Sequence, residues 1–155
     1  MHWLVIASIM IAFVLSVVPT SFDMRLWRPE FVALVVIYWS MYSSEHFGVF
    51  MAWCCGLLHD IIELSPMGYS ALGLVVVAYI SHLSYQRIRS YALWQQAVWV
   101  FILVGIYQLL GNWVNGLMDK EVESPTFLIA AMITAFLWPL VVVTMRSVKI
   151  RFRIP

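Results

Sequence analysis

Charge is what this sequence has least of. Its 155 residues hold nine Lys and Arg against eight Asp and Glu, a net of +1. Charged residues make up 11% of the chain and hydrophobic residues 63%, far from the roughly even balance of a soluble domain. No hydrophilic stretch is long enough for a separate soluble domain, so residues 1–155 read as one unit. Without a basic excess there is no electrostatic case for nucleic acid. Cysteine is limited to Cys54 and Cys55, adjacent and in the middle of an apolar run. That spacing suits neither a metal site nor a redox pair, and they read as buried thiols with no cofactor attached. His2, His46, His59 and His82 scatter over different segment ends. No Ser–His–Asp or Cys–His set shares a plausible depth, and no phosphate-cradling glycine loop is present. The chain is therefore expected not to be an enzyme.

What the sequence does have is apolar runs. Six are expected to form membrane-spanning helices, at residues 3–18, 31–44, 47–64, 67–85, 93–117 and 126–145, giving an all-α integral membrane bundle. The first covers about 24 Å at 1.5 Å per residue, short for a hydrocarbon core of about 30 Å. It has no basic residues before it and no small-x-small cleavage site after it, so a retained helix is expected. Pro19 ends it, and Pro29 suits the first turn of the second run. Ser65-Pro66-Met67-Gly68 is a turn by composition.

Asp60 is the one carboxylate expected inside the bilayer. Gly48, Ala52, Gly56 and Asp60 recur every fourth residue. A step of four advances about 40° around a helix, so they share one narrow stripe where a second helix can approach closely. A charge facing lipid costs about 2.5–3.5 kcal/mol on insertion scales, so Asp60 should face protein or water. Two readings stay open: a carboxylate bonded across a helix seam to the Gln108, Asn112 and Asn115 face of the fifth run, or a contact for a partner or solute. The polar stripe is equally open between interhelical bonding and cavity lining. His59, next to Asp60 but about 100° away around the helix, reads as a packed histidine.

Orientation follows from Lys and Arg. Arg146, Lys149, Arg151 and Arg153 close the chain, and Arg87 and Arg89 lie between the fourth and fifth runs. Two crossings separate these segments, which places both, and by counting back the N-terminus, in the cytoplasm. The Asp119–Glu123 loop and the Thr20–Glu30 loop fall outside, the latter against the rule because it holds Arg25 and Arg28. The inner basic residues serve as an orientation signal or as contacts for anionic lipid or a cytoplasmic partner.

The chain resembles the MreD family of rod shape-determining integral membrane proteins. The likeness lies in Leu26-Trp27-Arg28-Pro29 with Tyr38-Trp39, in Gly56-Leu57-Leu58-His59-Asp60 with Gly68, in Ala92-Leu93-Trp94-Gln95-Gln96-Ala97, and in Leu137-Trp138-Pro139 ahead of the basic tail. The resemblance implies a scaffold without chemistry of its own, in the bacterial inner membrane, within the machinery that inserts side-wall peptidoglycan. Its implied partners are MreC and, through it, MreB, RodA and a class B penicillin-binding transpeptidase. At fold level the family also resembles the six-helix S-components of energy-coupling-factor transporters. That likeness implies architecture, and it keeps a small-solute or lipid-binding transporter subunit as the alternative. A lipid-modifying enzyme is a more distant third.

Overall fold

Six helices carry the apolar runs in the computed structural model, which describes residues 2–18, 30–43, 45, 47–119 and 127–153. They are α1 (His2–Val17), α2 (Phe31–Tyr42), α3 (Val49–Glu63), α4 (Tyr69–Ile88), α5 (Leu93–Leu117) and α6 (Phe127–Arg151). Residues 19–29, Arg28 and Pro29 among them, lie outside the described residues, as does most of the acidic loop before α6.

The shortest helix is at the centre. α2 is apolar all round, and every residue from Val32 to Met41 is buried. It meets each of the other five helices. Its 12 residues cover about 18 Å, less than the ~30 Å of a hydrocarbon core, and the bundle encloses it on every side. α4 packs against α2, α3 and α5, and α6 against α5 and α2. Trp39 and Trp138 are the largest side chains fully buried in this core. Trp39 Nε1 donates to Ser8 Oγ of α1 at 2.8 Å, which in turn donates to the Val5 carbonyl at 2.8 Å.

The outer surface is the reverse of a soluble protein's. Phe50, Trp53, Leu83, Trp113, Met132 and Phe136 are among many large apolar side chains that face outward. Contiguous apolar surface of this extent would drive association in water and is the normal exterior in lipid. Among the described residues, two helical segments, Leu93–Leu117 and Leu128–Arg151, are long and apolar enough to cross a membrane by length and composition.

Two ends depart from the apolar runs. α6 continues past Met145 to Arg151, so Arg146, Lys149 and Arg151 stand on helix rather than on a loose tail, with Arg153 just beyond. α4 likewise runs on to Ile88 and takes in Arg87, with Arg89 as its C-cap.

Candidate functional site

The turn between α3 and α4 is built around Asp60. Leu64 ends α3 in the left-handed region at φ 54, and Gly68 begins α4 at φ 95, where a residue with a Cβ would be strained. A helix start leaves its first N–H groups without partners, and Gly68 has no side chain to cap them. Asp60 supplies the cap from the preceding helix. Its Oδ2 accepts from the Gly68 N–H at 2.9 Å, and its Oδ1 from the Ser70 N–H at 2.8 Å and the Ser65 hydroxyl at 2.9 Å. The carboxylate is fully buried. It lies where the positive end of the α4 dipole favours an anion. The expected bonding to Gln108, Asn112 and Asn115 is corrected here, because the donors come from the turn and from α4.

His59 joins the same node through Ser70. Its Nδ1 is 3.0 Å from the Ser70 hydroxyl, while the Ser70 N–H serves Asp60. Its Nε2 is 3.5 Å from Ser16 Oγ of α1 and 3.4 Å from Glu63 Oε1, and its ring lies against Phe13. The packed histidine expected from the sequence is thus a three-helix tie.

Of the small-residue stripe, Ala52 and Gly56 are buried, and Gly56 makes the close approach. A Cβ there would fall on the backbone of Ala71 in α4. Gly48 is the N-cap of α3 with open space around it, and so stands outside the seam. α4 and α5 meet through a reciprocal pair that the sequence reading missed: Gly73 of α4 receives the Tyr107 ring of α5, and Gly111 of α5 receives Tyr69 of α4. On α5, Asn112 is buried and Asn115 half-buried. Gln108 Oε1 is buried without a hydrogen-bond partner among the described residues.

A second polar node closes the other end of α4. Gln96, buried in the first turn of α5, donates through Nε2 to the carbonyls of Ile88 at 3.1 Å and Tyr91 at 3.2 Å. Its Oε1 accepts from Tyr42 Oη of α2 and from Trp138 Nε1 of α6, each at 3.2 Å. One amide therefore joins four helices. Around it, the Arg89 guanidinium lies 5.7 Å from the Tyr42 ring centroid, and the Lys149 ammonium lies 5.2 Å from that of Trp39. Arg87, Arg146, Arg151 and Arg153 are exposed. Arg89 and Lys149, from the C-terminal ends of α4 and α6, thus both lie on the aromatic rings of α2.

Comparison with known proteins gives the family. The family of the rod shape-determining protein MreD matches residues 1–148. The chain belongs to the MreD family. It is similar to the Rod shape-determining protein MreD of Haemophilus influenzae (strain ATCC 51907 / DSM 11121 / KW20 / Rd), with 29% identity over 150 residues, covering 96% of this chain and 93% of that protein. No solved structure matches the chain. Membership supports a role in determining rod shape, and the family together with the two long apolar helices is consistent with a membrane protein. Within the described residues, several of the segments in which the sequence resembles the family lie in the packed parts of the bundle. Tyr38-Trp39 is in the central helix, Gly56, Asp60 and Gly68 form the first node, and Gln96 bonds Trp138 in the second. Pro139, next to Trp138, lies inside α6, where it lacks the N–H for a helical bond. Among the described residues no group of three or more metal-binding side chains occurs.

Proposed function

We propose that this chain is a non-enzymatic scaffold of the bacterial cell-elongation complex. It would lie in the inner membrane with both termini cytoplasmic, associate directly with MreC, and connect through it to MreB, RodA and a class B penicillin-binding transpeptidase. The observation that carries the reading is the use made of Asp60. Both carboxylate oxygens are engaged by donors of the chain's own turn, and the group is fully buried. An intramembrane carboxylate is by default a functional candidate because it is costly to bury. Here that cost is offset by ordering the start of α4, which fits a rigid binding partner better than a catalyst or a solute carrier. The outward apolar faces of α1, α3, α5 and α6 offer surfaces for partner helices. The energy-coupling-factor S-component alternative asks Asp60 to meet a solute, for which its carboxylate has little capacity left.

A pull-down from detergent extract with mass spectrometry of proteins and small molecules tests this. Stoichiometric recovery of an MreC-like protein without a retained solute is the expected result. Recovery of an ATPase module, or of a specific solute in place of cell-wall proteins, would overturn it. In cells, Asp60→Asn is expected to weaken complex formation and rounding resistance together; if both stay intact, the carboxylate is not the essential feature.

A further inference from the structure

α1 and α6 both pack on α2 but, among the described residues, not on each other. Between them runs an apolar cleft of about 330 Å³, floored by α2 at Leu34, Val35 and Trp39. Its lining extends from Leu4 to Leu15 on α1 and from Leu137 to Lys149 on α6. At 1.5 Å per residue this is about 17 Å of length, close to the ~15 Å depth of one leaflet of a ~30 Å hydrocarbon core. The cleft is asymmetric in charge. Lys149 stands at one end, its ammonium folded over the rings of Trp39 and Tyr38 at 5.2 and 5.9 Å. Arg89 lies nearby, its guanidinium 5.7 Å from the ring centroid of Tyr42, which stacks on Tyr38 at 4.8 Å. Among the described residues no carboxylate pairs with either cation. A second apolar groove, between α1 and α3, has no charged residue in its lining.

The geometry points to a binding site for one anionic diacyl phospholipid, with an acyl chain in the α1–α6 cleft and its phosphate on Lys149 beside Arg89. An apolar trough of one leaflet's depth fits a lipid chain. Among the described residues neither Lys149 at its end nor Arg89 beside Lys149 has a carboxylate partner, and an anionic headgroup supplies one. A partner's apolar helix would fill the trough and leave Lys149 without a counter-charge. The inference rests on the membrane reading and not on the scaffold role.

The test uses the purified full chain in detergent, titrated with phosphatidylglycerol or phosphatidylcholine and read by native mass spectrometry and by the unfolding temperature. The expected result is one phosphatidylglycerol per chain, with stabilisation that phosphatidylcholine does not reproduce. Lys149→Gln is expected to weaken phosphatidylglycerol binding about five-fold, the effect of one cation near a membrane surface, and Lys149→Arg to retain it. Ala7→Phe, which fills the cleft, should abolish it, while Val14→Phe in the uncharged groove should not. Equal stabilisation by the two lipids, or indifference to Lys149→Gln, would overturn the proposal. So would a lipid-free dimer whose cross-links map to the cleft. Recovery of the chain from the membrane fraction is scored separately, so that failure of the membrane reading is not mistaken for failure of the lipid site.

Discussion

The two ends of α4 are closed by opposite chemistry. At the N-terminus the free groups are N–H donors, and Asp60 of the preceding helix brings a carboxylate to accept from them. At the C-terminus the end groups are carbonyls. That of Ile88, which also accepts from the Tyr91 N–H, takes a bond from the amide of Gln96 in the following helix, which donates as well to the Tyr91 carbonyl just beyond α4. Both caps are buried and come from neighbouring helices rather than from α4 itself. The difference lies in what each does besides. Asp60 spends all three carboxylate bonds within the α3–α4 turn and the first turn of α4, whereas Gln96 uses its oxygen to reach α2 and α6. In an apolar surrounding an unpaired backbone group has no water to turn to, so each end needs a partner of the right polarity. A charged cap is affordable at the end whose dipole is positive; a neutral cap that can both donate and accept suits the end that must also join other helices.

The comparison is broken most severely by removing the charged cap. Asp60→Ala leaves the Gly68 and Ser70 N–H groups without an acceptor in a buried turn, and a cost of about 3–5 kcal/mol is expected from two or more orphaned donors. Thermal unfolding in detergent should register it, with loss of protease resistance beginning at residues 64–70. Gln96→Ala is expected to cost less, about 2–3 kcal/mol, because its own amide is neutral, the Ile88 carbonyl keeps its bond from the Tyr91 N–H, and the Tyr91 carbonyl belongs to an exposed residue. Its signature should differ in place as well as size. With Trp138 Nε1 released, Trp fluorescence should change, which Asp60→Ala should not cause to the same degree. Asp60→Asn sharpens the contrast further. The amide keeps one acceptor but points its NH₂ at a backbone donor, so about 1–2 kcal/mol is expected. An effect as large as that of Asp60→Ala would mean that the charge, rather than the hydrogen-bond count, holds the turn.

Much of the first node was legible in the chain. The four-residue spacing ending in Gly56 and Asp60 marks a close-packed stripe, and Ser65-Pro66-Met67-Gly68 marks the turn. What failed was the donor set in one of the two open readings of Asp60, the polar face of α5. Side chains on α5 looked like the natural donors, but the nearest unsatisfied donors after a turn are the backbone N–H groups of the next helix, and a Gly N-cap announces that they need outside help. Gln96 was visible only as part of a family-like segment, because a lone glutamine at the start of an apolar run has no periodicity to mark it. Gly73 and Gly111 were unmarked for a similar reason: each is explained by a tyrosine on another helix. The central place of α2 was hidden by the property that causes it. A helix apolar on every side shows no preferred face, and its short length was the one clue that it is enclosed rather than exposed.

The smallest effect expected is also the one that decides whether the two ends form a single device. α4 has 20 residues and is about 30 Å long, so Asp60 and Gln96 act at well-separated points with no shared hydrogen-bond partner. Sites this far apart normally add, and the Asp60→Asn, Gln96→Ala double variant should show a coupling below about 0.5 kcal/mol. A double-mutant cycle on unfolding free energy measures it. The tight contacts along α4, Gly56 on Ala71 and the two Gly–Tyr pairs with α5, argue for additivity, since each end is pinned to its neighbours independently of the other. A larger coupling would mean that loosening one end lets the whole helix shift. A change at the α3–α4 turn would then be felt at the basic ends of α4 and α6.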